Sequence, residues 1–345
     1  MRNATPHPSH PPIKGWGRRP LFLVWLVCIL CTAPIAQARD LRIARGETAG
    51  EAPSELTILT WNLGYAGLGA DSDFRADGGA RLLPPSRASV TRNLAGIEAT
   101  LRANPADVYC IQELAAPGPM TLWHDVRGGV NRALTAFDRV FYADVRTRFW
   151  PPPLRLVHGP GLYSRYALQS AEVVRLPDEP NRMAGLVMRH YGLVVARIAP
   201  AWTIVSLHLS AFDEGAQTRR RQLAALMEFA QREHASGRSV VLGGDFNYLL
   251  VDTAFPHTTA QEHLFWVHGF PDEALPTGWR IAADATTPSN RSNNQPYVEG
   301  ENYRSVIDGF VLSPGLEALE VRGIALGFAH SDHQPVRLRV RRNPA

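Results

Sequence analysis

Lysine is almost missing from this chain. Of 36 basic residues among 345, only Lys14 is not an arginine. Codon bias explains the skew as readily as a preference for bidentate phosphate contacts. Cysteine is nearly as scarce, with Cys28, Cys31 and Cys110. Only Cys110 lies beyond residue 38, so a chain cut there can form no internal disulfide. It sits in the apolar stretch Val108-Tyr109-Cys110-Ile111 and reads as a small buried hydrophobe, not a catalytic thiol. Long apolar runs are also lacking. Leu21–Leu30 is shorter than the roughly 20 residues a spanning helix needs, and Pro34 soon follows, so a retained membrane anchor is the weaker reading.

Net charge is the last absence. Residues 1–38 hold four of the 36 basic residues (Arg2, Lys14, Arg18, Arg19) and none of the 32 acidic ones. The remainder therefore carries 32 of each sign. No global positive field gathers nucleic acid, although a local basic groove stays open.

What is present starts with a leader. Arg18-Arg19, the apolar run and the small residues ending in Ala36-Gln37-Ala38 form a secretory signal peptide over residues 1–38. Cleavage is expected after Ala38, leaving no stable membrane span and an exported protein, periplasmic or secreted. Residues 39–54 read as a polar linker. From residue 55 to 342 no further linker or low-complexity break appears, which fits one domain, 45% hydrophobic and 20% charged over the whole chain.

Helical spacing of Val90, Leu94, Ile97 and Leu101 predicts a helix over Ser86–Asn104, and Leu223, Leu226, Met227 and Ala230 predict one over Gln217–His234. Strands are expected over Leu56–Trp61, Asp107–Glu113, Val140–Val145, Gly161–Ser164, Ala171–Leu176, Gly185–Arg189, Leu193–Ile198, Trp202–Leu209, Ser239–Leu242, Val306–Leu312, Val321–Leu326 and Val336–Val340. Many strands with few helices suggest two sheets packed face to face under helices.

Polar residues gather at the ends of these strands. Val240-Val241-Leu242 runs into Gly243-Gly244-Asp245-Phe246-Asn247, where a Gly-Gly stop can bring backbone close to a ligand. Asp245 and Asn247 would share one face of the extended chain. One can accept a proton or hold a water, and the other can donate to a charged oxygen, a pairing that suits phosphate-ester hydrolysis. Trp61-Asn62, Gln112-Glu113, Ser206-Leu207-His208-Leu209, Asp308 and Ser331-Asp332-His333 add to them. Each has a plainer reading alone. Asn62 could cap a turn, Glu113 could be a surface charge, His208 a core histidine, and Asp332 a turn residue.

Together the order resembles the endonuclease/exonuclease/phosphatase superfamily, which includes deoxyribonuclease-like nucleases, neutral sphingomyelinases and inositol-polyphosphate 5-phosphatases. The matching pieces are Thr60–Asn62 (TWN), Ile111–Leu114 (IQEL), Tyr163–Tyr166 (YSRY), Ser206–Phe212 (SLHLSAF), Gly244–Asn247 (GDFN), Val306–Ser313 (VIDGFVLS) and Ser331–Val336 (SDHQPV), spread over about residues 55–341. Tyr163 stands where the family usually has Leu, a structural position.

The resemblance implies an α+β fold, a four-layer αββα sandwich of two mostly antiparallel sheets flanked by helices. It implies Glu113 as main ligand of a divalent cation, with Asn62 in the same shell and Asp332 nearby. All-oxygen coordination suits Mg²⁺ or Mn²⁺. Asp245 would orient or deprotonate water, and Asn247 would bond the phosphoryl oxygens. His333, oriented by Asp308, would bind or protonate the phosphoryl group. His208 would be the second histidine, and which histidine is the base stays open.

The expected activity is hydrolysis of a phosphodiester or phosphomonoester, small or lipid-linked, by a monomer. The alternatives are a secreted deoxyribonuclease-like endonuclease acting on nucleic acid and a catalytically silent binding protein. Gly69–Pro85 is read as either a loop beside the metal or a flexible insert. The long loop Leu249–Arg304 should border the site, with Arg291 and Arg304 as candidate phosphate contacts. Trp266 is read as either a substrate contact or part of the loop's own core. Arg219–Arg221 read as a solvated helix face.

Overall fold

The computed structural model describes residues 38–147, 150–179, 189–211 and 214–343. The expected leader lies outside them except for Ala38, as does all but Arg189 of the strand expected over Gly185–Arg189. The strands are β1 (Ala38–Asp40), β2 (Glu55–Asn62), β3 (Val108–Ala115), β4 (Asp138–Phe141), β5 (Val145–Arg146), β6 (Val157–Ser164), β7 (Leu168–Arg175), β8 (Gly192–Ile198), β9 (Trp202–His208), β10 (Ser239–Asp245), β11 (Arg280–Ala282), β12 (Asn290–Arg291), β13 (Arg304–Ser305), β14 (Asp308–Leu312), β15 (Leu316–Gly323) and β16 (Val336–Arg342). The α-helices are α1 (Arg87–Ala103), α2 (Val126–Ala133) and α3 (Gln217–Ala235).

One sheet runs β1-β7-β8-β9-β10-β14-β11, and the other runs β15-β16-β2-β3-β6-β4 with β5 also paired to β6. Within these two sheets pairing is antiparallel except β2–β3 and β9–β10. Alternation along each strand sorts the apolar residues into layers. Leu56 and Ile58 of β2 meet Ile204 of β9 and Val241 of β10 between the sheets. Leu59 and Trp61 turn outward to Val90 and Ile97 of α1 and to Val126 and Val130 of α2. Val240 and Leu242 turn outward to Leu223 and Leu226 of α3. Helices, sheet, sheet and helix make the four layers of an αββα sandwich. Among the described residues no helix is long and apolar enough to cross a membrane.

Three expectations need correction. Residues 39–54 are no linker. β1 pairs with β7, and Ala44 exchanges backbone hydrogen bonds with Arg139 of β4 at 2.9 Å each way. The buried carboxylate of Asp138 accepts from Arg45 Nη1 (2.6 Å), Gly46 N (2.9 Å) and Leu168 N (3.0 Å), clamping the segment to the sheet. The strand expected over Val140–Val145 is interrupted between β4 and β5. Finally, α2 went unread because Gly128-Gly129 masks its periodicity. Asp125 caps it by accepting from Gly128 N, and a Cβ on Gly129 would lie 2.6 Å from Glu98 Oε1, so glycine lets α2 approach α1.

Candidate active site

The alternation that builds the inter-sheet core also builds the site. Thr60 and Asn62 follow Leu56 and Ile58 on one face of β2, Gln112 follows Cys110, and His208 follows Ile204 and Ser206. Asp245 and Asp308 continue the same faces of β10 and β14. Where the strands end, this gap changes from apolar to polar. Its floor is Gln112, whose Nε2 donates to Ser206 Oγ of the opposite sheet (3.3 Å) and to Cys110 O (3.2 Å). Above it opens a cleft whose walls include Asn62, Glu113, His208, Asp245 and His333.

Glu113 breaks the alternation. As the neighbour of Gln112 it would face the helices. Its φ of 52° and a register shift between Ile111 and Leu114 turn it into the cleft instead. Tyr65 (φ 55°) and Asn247 (φ 53°) are also left-handed and also line the cleft. Such conformations cost energy in non-glycine residues and concentrate where geometry matters.

His333 is the best-anchored group. Its Nδ1 lies 2.8 Å from Asp308 Oδ2, and its Nε2 lies 3.1 Å from Asn290 Nδ2 and 3.7 Å from Asp245 Oδ2. Burial lowers its pKa, but the carboxylates of Asp308, Asp245 and Asp332 outweigh that and carry it well above the usual imidazole value. Asp245 accepts from Asn62 Nδ2 (3.0 Å) and Asn247 N (2.9 Å). Burial, then repulsion from Asp308, raises its carboxyl to about 6, close to where a general base works best.

His208 has the opposite character. Arg189 Nη2 reaches its Nδ1 at 2.8 Å. A guanidinium can only donate, so Nδ1 accepts and Nε2 carries the proton, directed to Asp245 Oδ2 at 3.5 Å. Burial and then the charge of Arg189 hold this ring well below the ordinary pKa. The surroundings push the two histidines in opposite directions, His333 toward the charged form and His208 toward the neutral one, and the His208 tautomer makes Nε2 a hydrogen-bond donor into the cleft.

Glu113, Asp332 and Asn62 line the same cleft and offer only oxygen as ligands. Burial pushes the Glu113 carboxyl up to about 8, and Asp332 adds to the rise. A buried carboxylate so poorly compensated fits a divalent cation, and hard oxygen donors fit Mg²⁺ or Mn²⁺. Asn62 Oδ1 already accepts from Gly64 N (3.1 Å) but keeps a second lone pair. Asp332 accepts from Asn293 and Ser331. Asp245, Asp308 and His333 also offer ligand atoms within 4.8 Å of one another. There the imidazole already bridges the two carboxylates, so we read those three as an acid–base unit. A cation bound by Glu113, Asp332 and Asn62 would neutralise phosphate charge and stabilise the leaving oxygen.

The sequence model of the Endonuclease/Exonuclease/phosphatase family matches residues 59–333. The chain belongs to this family. It is a metal-dependent phosphoric ester hydrolase, as the family's members are. Solved structures of similar fold include an endonuclease/exonuclease/phosphatase from Beutenbergia cavernae DSM 12333, at 17% identity over 84% of this chain and 72% of that one, with a TM-score of 0.54. A family protein from Bacteroides vulgatus shares 13% identity over 84% and 99% of the two chains, with a TM-score of 0.52. ANGEL2, a 2',3'-cyclic phosphatase solved with adenosine-2',3'-vanadate, shares 14% identity over 89% and 99%, with a TM-score of 0.51. These likenesses are of fold. No curated protein matches the sequence.

Within this family fold the candidates Asn62, Glu113, His208, Asp245, Asn247, Asp332 and His333 all line the cleft, and Asp308 stands behind His333. Arg291 lines it too, but its guanidinium is committed. It is 1% exposed and donates to the carbonyls of Ser292 (2.9 Å) and Gly69 (2.8 Å), tying two loops together. Arg304 is not among the cleft residues. Its Nη1 pairs with Glu299 at 3.1 Å and its guanidinium lies over Phe255. Arg219 is not a solvated residue either. It is buried and donates to the carbonyls of Ala211, Asn247 and Trp266. Gly243 and Gly244 serve packing, not ligand approach, since added Cβ atoms would lie 2.9 Å from the Phe310 ring and 2.1 Å from Leu207 O.

Gly69–Pro85 supplies Phe74 and Asp77 to the cleft wall, and Trp266 lines the cleft while meeting Tyr303 edge-on. Sequence reasoning missed Arg189, Tyr65 and Asn290. Tyr65 follows the Trp-Asn-Leu-Gly turn directly and Asn290 sits in the polar run Ser289–Asn294, so both carried a local signal. Arg189 carried none.

Proposed function

We propose that the protein is exported, to the periplasm or beyond, and hydrolyses a small or lipid-linked phosphate ester, most readily a phosphodiester, with Mg²⁺ as its working cation and Mn²⁺ as substitute. The carrying observation is that the acid–base residues Asp245 and His333 open onto the same cleft as the oxygen ligands Glu113, Asp332 and Asn62. Asp245 takes a proton from water. His333, held by Asp308, gives a hydrogen bond or proton to the phosphoryl group. Neutral His208 and the amide of Asn247 steady its other oxygens.

The substrate class rests on where the arginines go. A nuclease neutralises several backbone phosphates with Lys or Arg. Around this cleft Arg291, Arg219 and Arg304 are consumed by carbonyls and by Glu299. Arg189 remains in the lining, shared between Asp144 (2.7 Å) and His208. One phosphate and an apolar group against Leu68, Phe74 and Trp266 suit such a lining better than a long polyanion does.

The test is hydrolysis of bis(p-nitrophenyl) phosphate, sphingomyelin, inositol phosphates, RNA and plasmid DNA, with and without Mg²⁺ at about 0.15 M salt, where charges beyond roughly 8 Å are screened. Rapid plasmid nicking without turnover of small or lipid esters would make it a secreted deoxyribonuclease-like endonuclease. N-terminal sequencing of the exported protein should begin near Arg39. Soluble cytoplasmic protein keeping its leader would remove the export reading.

A further inference from the structure

A second pocket lies away from the catalytic cleft and shares no residue with it. It is formed where α2, the edge strand β4 and the N-terminal segment meet. Arg127 and Asn131 stand one turn apart on α2, so they share a helix face. Arg139 and Phe141 alternate with buried Asp138 and Val140 on β4, so they share the outer face of the sheet. Tyr163 lies directly opposite Arg139 on β6. Arg42 comes from the segment clamped beside β4.

The charged groups here are all guanidiniums, which can only donate. Arg127 stacks over Phe141 at 4.7 Å. Tyr163 Oη donates to Asn131 Oδ1 at 2.9 Å, and both residues line the pocket. Among the described residues no carboxylate pairs with Arg42, Arg127 or Arg139. The nearby acids are engaged elsewhere. Asp138 binds Arg45, Glu98 binds Arg102 and Arg132, and Asp125 caps α2. Three guanidiniums around one concavity without a counter-charge repel one another. They fit an oxyanion with several acceptor oxygens, which guanidiniums bind by charge-assisted hydrogen bonds.

We propose that this pocket, built from Arg42, Arg127, Arg139 and Asn131 on a wall of Phe141 and Tyr163, is a non-catalytic binding site for a phosphate group. The group is either free or carried on a lipid headgroup. The two sources share the same oxygens, and the experiment separates them. The inference stands apart from the cleft chemistry, because it is read by binding and not by turnover.

The experiment uses the full exported protein in chelator, so that the catalytic cation does not recruit phosphate to the cleft. Calorimetric titration with inorganic phosphate is compared with sedimentation on vesicles of phosphatidylcholine with and without phosphatidic acid. Two variants are carried alongside. Arg127→Gln/Arg139→Gln removes two charges. Asn131→Asp keeps the shape and the Tyr163 hydrogen bond but places a carboxylate among the arginines. Each variant should weaken the response at least about tenfold, the scale of one lost charge-assisted hydrogen bond. Hydrolysis of the best cleft substrate should stay unchanged in both.

Asn131→Asp should also raise the melting temperature without ligand, because it pairs the arginines internally. This reading survives if the double variant folds poorly. Phosphate binding lost in the variants assigns a free-phosphate site, and vesicle binding lost in them assigns a headgroup site. No binding by the wild type, or equal binding by wild type and variants, overturns the proposal and leaves a solvated cluster.

Discussion

Arg189 donates from Nη2 to Nδ1 of His208 across 2.8 Å and so decides which nitrogen of that ring holds the proton. Arg189 is fixed in turn by Asp144, whose Oδ2 accepts from its Nε at 2.7 Å. Arg189→Gln should free the ring to flip and should remove a repelling charge that holds its pKa down. We expect kcat to fall by roughly tenfold or more, with KM little changed, and the acid limb of the pH–rate profile to gain a new ionisation. An unaltered pH profile would show that Arg189 serves packing alone.

Asp245→Asn and His333→Ala should each lower kcat by roughly two orders of magnitude or more, as loss of a positioned acid–base group does. Asp308 acts through His333, so Asp308→Asn combined with His333→Ala should cost little more than His333→Ala alone. Steady-state rates on one small diester check this, with circular dichroism confirming the fold. Additive losses would show that Asp308 has a separate role.

If Glu113 holds the cation as proposed, cation binding and stability should be linked through it. Its folded pKa of about 8 lies above the ordinary 4.5, so the protonated side chain is the one the fold prefers. That contribution is complete below pH 4.5 and is lost as pH rises through 8. In chelator, Glu113→Gln should therefore melt higher than wild type at pH 8–9 and equally near pH 4. The gain should be at least about 2 °C, since 1 kcal/mol shifts a domain of this size by roughly 2–4 °C. Mg²⁺ or Mn²⁺ should raise the melting point of the wild type and not of the variant. Hydrolysis should cease in chelator and return with the cation.

His158 runs the other way. Burial lowers its pKa to about 4 against the ordinary 6.5. The unfolded chain takes a proton near 6.5 and the fold refuses it until about 4, so stability falls as pH drops through that window. His158→Gln should flatten this loss, read as a smaller difference in melting temperature between pH 7 and pH 5. An equal difference in both proteins would place the protonation elsewhere.

The segment 39–54 should behave as part of the fold. Asp138→Ala removes the acceptor for Arg45, Gly46 N and Leu168 N together. We expect a loss of about 2 kcal/mol or more, as for buried donors left unpaired, and faster tryptic cleavage at Arg42 and Arg45. Urea titration and limited proteolysis measure both. Unchanged proteolysis would return the segment to the status of a linker.

Much of the site was legible in the chain, because period-two alternation is a local property. Residues that follow Leu56, Cys110, Ile204 and Val241 on one strand face must meet in one gap, and Asn62, Gln112, His208 and Asp245 are such residues. The two long helices were legible from their 3.6-residue spacing for the same reason. Tertiary structure alone decided the uses of Arg189, Arg45 and, through Gly69, Arg291, because these guanidiniums find partners far away in the chain. Arg189 meets Asp144 from 45 residues away, Arg291 meets Gly69 from 222, and Arg45 meets Asp138 from 93. Those distant pairings turned one expected phosphate contact, Arg291, into a structural tie and a supposed linker into an edge of the sheet, while Arg304, the other, meets Glu299 only five residues away. They also fixed the tautomer of a histidine that sequence could only name.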